Sequence, residues 1–129
     1  MFSRRLLAAT FGAAILAVVA TTSMQALSIT GKPTYLTFSR SVALPGVELP
    51  AGSYIFELVM TDSHSNLVRV LSRDRNHVYL TAFTNMVLRP WNLNPNKMIT
   101  FGEAPRGMAP PIQVWYPTED TSGREFVYR

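Results

Sequence analysis

The chain has no cysteine among its 129 residues. That excludes a disulfide framework and a lipid-modified cysteine near the N-terminus, and leaves an apolar core as the means of holding a domain together. Charge is sparse too, at 16% of residues against 47% hydrophobic. Of the twelve basic residues, Arg4 and Arg5 belong to the extreme N-terminus, and the other ten face eight acidic ones. Lysine and arginine do not cluster among aromatics as a nucleic-acid surface requires. Only Arg73 and Arg75 come close together, with Asp74 between them, which suits a hairpin tip. Histidine is limited to His64 and His77, whereas a metal site wants three or more converging ligands; no metal and no other cofactor is implied. A convincing helical repeat, an internal repeat and a low-complexity tract are all missing after residue 26.

What is present begins with an export signal. Arg4 and Arg5 precede an almost continuous apolar run, Leu6 to Ala20, and Thr21 to Ala26 is small and polar enough for a peptidase. The run is shorter than the roughly 20 apolar residues that a bilayer-spanning helix needs. Residues 1–26 therefore read as a cleavable signal helix, 27–129 as a single domain, and the destination as periplasmic or extracellular. Contact with a membrane is expected only through the signal before cleavage. Ser3-Arg4-Arg5-Leu6-Leu7 also matches a twin-arginine pattern, which leaves the export route open.

From Leu27 onward apolar residues recur with period two, in short runs separated by Gly, Pro, Asn, Asp and Ser, as strands and turns do. In Ser53 to Met60 the set Tyr54, Phe56, Leu58 and Met60 is the natural core face. Asn66 to Ser72 and His77 to Thr84 complete a three-stranded meander. Thr34 to Ser39 and Val42 to Leu49 read as earlier strands, the second interrupted by Pro45-Gly46. Asn85 to Asn96 reads as a loop that packs Trp91, and Lys97 to Gly102, Pro111 to Tyr116 and Arg124 to Tyr128 as further strands. Seven or eight short strands predict an all-β antiparallel domain, either a small β-sandwich or a partly open barrel.

No catalytic constellation stands out. Ser63 or Ser65 with a histidine and Asp62 or Asp74 could supply a hydrolase triad, but no nucleophile elbow surrounds either serine, and such turns favour local backbone hydrogen bonds. Glu103, Glu119, Asp120 and Glu125 could supply paired carboxylates for glycoside cleavage, for which a chain this short has little cleft. The alternation of side chains places His77, Tyr79, Thr81 and Phe83 together on the face opposite the core, with Trp115 pointing away from Ile112, Val114 and Tyr116. Exposed aromatics on a rigid sheet make a binding surface, or a minor core if a loop covers them. The candidate binding residues are thus Tyr79, Phe83, Trp115 and His77.

Three stretches carry a family resemblance: Ile99-Thr100-Phe101-Gly102-Glu103-Ala104-Pro105-Arg106-Gly107, then Val114-Trp115-Tyr116-Pro117, then Gly123-Arg124-Glu125-Phe126-Val127-Tyr128. With Leu44-Pro45-Gly46-Val47-Glu48-Leu49-Pro50-Ala51-Gly52-Ser53-Tyr54 upstream, the chain resembles a group of short secreted proteins of soil bacteria, notably acidobacteria. The resemblance implies secretion and a compact β domain, and carries no catalytic or binding residues to transfer. The expectation is a non-enzymatic binding or structural module of the cell envelope, with an envelope glycan or a secreted protein as partner. The alternative is a small glycoside or cell-wall hydrolase using the paired carboxylates.

Overall fold

A computed structural model describes residues 28–60, 66–118 and 120–129. The expected signal helix, His64, Asp62, Ser63, Ser65 and Glu119 lie outside the described residues. Among the described residues nine strands follow in chain order: β1 (Ser28–Phe38), β2 (Val42–Leu44), β3 (Val47–Leu49), β4 (Gly52–Met60), β5 (Leu67–Ser72), β6 (Val78–Leu88), β7 (Ile99–Phe101), β8 (Ile112–Trp115) and β9 (Ser122–Phe126). Seven form one antiparallel sheet in the order β1-β4-β5-β6-β9-β8-β7, curled as a half-barrel, and β2 pairs with β3 in a separate hairpin. The all-β expectation holds, and the single continuous sheet takes the place of two stacked ones. No described helix is long and apolar enough to cross a membrane.

Period two explains the central strands. Tyr54, Phe56 and Leu58 of β4 and Val68 and Val70 of β5 are buried on the concave side, where they meet Ile99, Ile112, Trp115 and Phe126 from the far strands. Phe56 is the hub: its ring centroid lies 5.8 Å from Trp115 and 6.5 Å from Phe126, across the hollow of the half-barrel. Tilted and edge-on rings at such distances add to the free energy of burial alone. The β2–β3 hairpin closes over this core with Val42, Leu44 and Leu49, and is tied to the opposite side by the Ala43 N–H donating to Pro110 O at 2.9 Å. Its turn is Pro45-Gly46, with Gly46 at φ +73°, a conformation that glycine adopts without steric cost.

Two elements depart from the pattern read in the sequence. β6 runs on through Leu88, because Thr84 to Leu88 pair with Phe126 to Ser122 of β9; the expected loop from Asn85 therefore starts only after four more ladder positions. Trp91, which that loop was expected to pack, is 96% exposed. The loop is held instead by Arg89, whose guanidinium donates to the carbonyls of Asn94 and Lys97 and lies 5.0 Å from the centre of the Tyr116 ring. β9 in turn starts two residues early, at Ser122. Its Gly123 is required by packing: a Cβ there would sit 2.6 Å from the Tyr116 ring and 2.7 Å from Val114.

Candidate functional site

The four aromatic and histidine residues singled out from the sequence do not form one surface. Strict alternation along β6 is broken by a bulge. Val70 pairs with Leu80, but the next residue, Leu71, pairs with Val78, so Tyr79 is the extra residue. Beyond it the strand changes face. Tyr79 packs edge-on against Tyr54 at 5.4 Å and is partly buried against the concave core, with His77 4.4 Å from its ring. Phe83, four residues after the bulge, pairs with Leu67 and is 61% exposed. Trp115 is 0% exposed within the core cluster, so its side chain belongs to the interior, and among the described residues its indole N–H finds no hydrogen-bond partner. The period-two reading of Pro111 to Tyr116 failed because β8 pairs with β7 through a register shift, which turns Ile112 and Trp115 to the same side.

The polar candidates resolve into local structure. Asp74 accepts from the Ser72 hydroxyl at 2.6 Å and from the Asn76 N–H at 3.0 Å, and these bonds hold its carboxyl below the usual range. That is hairpin-turn chemistry, since the Ser72 oxygen also accepts the His77 N–H. Asp120 accepts from the N–H and hydroxyl of Ser122, and its other oxygen lies 3.9 Å from Arg124. Glu125 stands on β9 opposite Asn85, and Glu103 is exposed just beyond β7. Among the described residues no three His, Cys, Asp or Glu come together as metal ligands would.

A different place carries the concavity. β1 and β7 are the two ends of the sheet order, and the Phe38 and Phe101 rings approach to 6.5 Å across the seam between them. Against this contact lies a groove of about 270 Å³ lined by Thr37, Phe38, Ser39, Arg40, Val42, Phe101 and Pro110. A second hollow of about 350 Å³ adjoins it through Arg40 and Pro110 and is walled by Glu48 and Met108. The floor is thus apolar and aromatic, the rim carries hydroxyls, and Arg40 stands where the two hollows meet. Arg40 has no ion-pair or hydrogen-bond partner among the described residues. Among the described residues the two flanking strands each have one edge without a ladder partner, and such edges offer backbone N–H and C=O groups to an added strand.

The sequence signal for this groove was present but scattered. Pro45-Gly46 marks the hairpin that narrows the seam, and Arg40-Ser41 and Met108-Ala109-Pro110 lie in connections 60 residues and more apart, which only the tertiary fold brings together. No family model, curated protein or solved structure matches the chain.

Proposed function

We propose that the protein is a non-enzymatic binding module of the exported compartment, periplasmic or extracellular, that takes an extended segment of another secreted protein into the seam between β1 and β7. The observation that carries this reading is the amphipathic groove itself, a hollow between the ends of β1 and β7 that adjoins a second one in the flanking loops, with the Arg40 guanidinium at their junction. Such an arrangement suits strand addition, in which main-chain hydrogen bonds give affinity and pockets for alternate side chains give selectivity. An aliphatic or aromatic side chain fits over Phe38 and Phe101, and a carboxylate fits Arg40. The charged leader, the apolar run after it and the resemblance to short secreted proteins support the compartment.

A displayed-peptide screen against the purified protein tests the reading, with peptidoglycan fragments as a second probe. Extended apolar sequences bearing a carboxylate are the expected binders, and Arg40→Glu and Met108→Asp each weaken them while leaving the circular dichroism unchanged. Binding of peptidoglycan fragments alone, or peptide binding indifferent to both substitutions, defeats it.

A further inference from the structure

The two hollows at the seam differ in charge. The first has an apolar floor of Phe38, Val42, Phe101 and Pro110, and Arg40 is the one charged residue that lines it. The second shares Arg40 as a wall and adds Glu48. Arg40 therefore stands in the middle of a line, with an apolar stretch on one side of it and a carboxylate on the other. Among the described residues neither Arg40 nor Glu48 enters an ion pair or a side-chain hydrogen bond, although both line the same hollow. Each charge is left open to a separate partner.

Their separation is built into the backbone. Glu48 lies on β3 opposite Ala43 of β2. Ala43 is fixed twice, since its N–H donates to Pro110 O at 2.9 Å and its carbonyl accepts from the Tyr128 hydroxyl at 3.2 Å. Val42, Leu44 and Leu49 turn inward from the hairpin to the core, so alternation sends Glu48 outward. On the facing wall, the connection after β7 is closed by the Met108 N–H donating to Pro105 O at 3.1 Å and the Gly102 N–H donating to Pro111 O at 2.8 Å. Walls held by main-chain hydrogen bonds are preorganised, and a ligand that supplies the two counter-charges does not have to order them first.

We infer that the seam selects the order of charges in the segment it takes: an apolar side chain over Phe38 and Phe101, a carboxylate at Arg40, and an ammonium or guanidinium at Glu48. This selection rests on the reading of the seam as a site for an extended peptide, and narrows it from any acidic apolar segment to one with the acid in the middle and the base beyond it. In an extended chain every second side chain faces the same way, about 6.6 Å from the last, so the three groups fall at alternate residues. A segment with acid and base exchanged brings cation to guanidinium and carboxylate to carboxylate, and such like-charge contacts reject a wrong partner. Both side chains are exposed, so each contact alone discriminates little and the two act together.

Two short peptides test this with the full chain. Both alternate threonine with the facing residues, have blocked termini, and share one composition and net charge. The first presents valine, glutamate and lysine at successive facing positions, and the second valine, lysine and glutamate. Each is made in both chain directions, because the order of the three groups is at issue and the polarity of the backbone is not. Fluorescence anisotropy is expected to show the acid-centred peptide binding about tenfold more tightly than the base-centred one, and the ratio to invert in the double variant Arg40→Glu, Glu48→Arg. Equal binding of the two peptides by the unaltered chain overturns the charge order, and leaves the seam as a peptide site if Met108→Asp still weakens both. A preference that persists in the double variant overturns it as well, since the charges are then read elsewhere. Binding of neither peptide overturns the charge order and the peptide site together. The first comparison needs no variant, so it decides the matter even if the double variant shows an altered circular dichroism.

Discussion

The two faces of β4 and β5 solve the same problem with different chemistry. On the concave side the strands bury aromatic and aliphatic groups and no charge: Tyr54, Phe56 and Leu58 meet Val68, Val70, Trp115 and Phe126. On the convex side four aliphatic residues surround a fully buried carboxylate and its two arginines. The first face is made by curling one sheet around itself, so every partner is supplied by the domain. The second surrounds a charge with aliphatic groups, Ile55, Val59, Leu67 and Leu71, so the Glu57 carboxylate depends on the Arg69 and Arg75 guanidinium groups for hydrogen-bond partners. The difference separates a packing made of apolar groups alone from one built around a buried charge.

The sharpest break of that comparison is at the concave hub. Phe56→Ala removes the ring that touches both Trp115 and Phe126, and an unfilled aromatic cavity costs about 3–5 kcal/mol. Urea denaturation is expected to show that loss with an unchanged slope. Glu57→Ala tests the other face. Removing the acceptor from a buried pair costs about 3–5 kcal/mol in a dry interior. Here the low end applies, because the side chains of Arg69 and Arg75 are 20% and 40% exposed and partly rehydrate. If the triad serves selectivity more than stability, Glu57→Leu combined with Arg69→Leu restores most of the loss. Failure of that double variant to recover would make the ion cluster a stabilising core element and erase the contrast.

How much of this was legible in the sequence depends on whether alternation was interrupted. Tyr54, Phe56 and Leu58 were readable as a core face because β4 pairs with β5 without a shift from Tyr54 to Val59. His77, Tyr79 and Phe83 were misread as one face because a single extra residue, invisible in a pattern of apolar letters, reverses the side on which Tyr79 lies. Trp115 was misread for the same reason at β8. The Glu57–Arg69–Arg75 triad left a faint trace: a lone glutamate at a strand centre and an arginine in the next strand, each flanked by aliphatics. What could not be read was Arg75, which reaches Glu57 from the β5–β6 turn with φ at +65°, a conformation few residues other than glycine adopt. The groove at the seam left only scattered turn residues in the sequence, since its assembly depends on how far a seven-stranded sheet curls.

A smaller effect is expected at Gly123, where the two faces meet β9. Gly123→Ala places a methyl group against Tyr116 and Val114, both buried, so overpacking costs about 1–3 kcal/mol. Gly46→Ala, by contrast, meets no atom within 4 Å and bears only the cost of positive φ, about 1 kcal/mol. Thermal melts of the two variants are expected to rank in that order. The reverse order would mean that β9 can move away from Tyr116, and that the sheet is softer at β9 than at the hairpin.

The smallest effect is one of pH, and it probes how the chain's end seals the hairpin side of the core. The Tyr128 hydroxyl sits between the carbonyls of Ile112 and Ala43, so one side chain links β8 to β2. Burial pushes its pKa up to about 12, above the ordinary tyrosine value near 10. The neutral phenol is thus favoured by folding. Its contribution is complete below pH 10, where both states keep the proton, and fades as the pH rises from 10 to 12, where the unfolded chain ionises first. Tyr54, whose hydroxyl donates to Pro50 O and whose pKa burial also raises, shifts in the same direction. Since Tyr128 is 41% exposed, solvent screening keeps its share small. The urea midpoint is expected to fall between pH 10 and 12, and Tyr128→Phe to flatten that fall while lowering the midpoint at neutral pH. A fall of the same depth in the Phe variant would transfer the alkaline sensitivity to Tyr54, and with it the weaker side of the core from the hairpin to the β4 end.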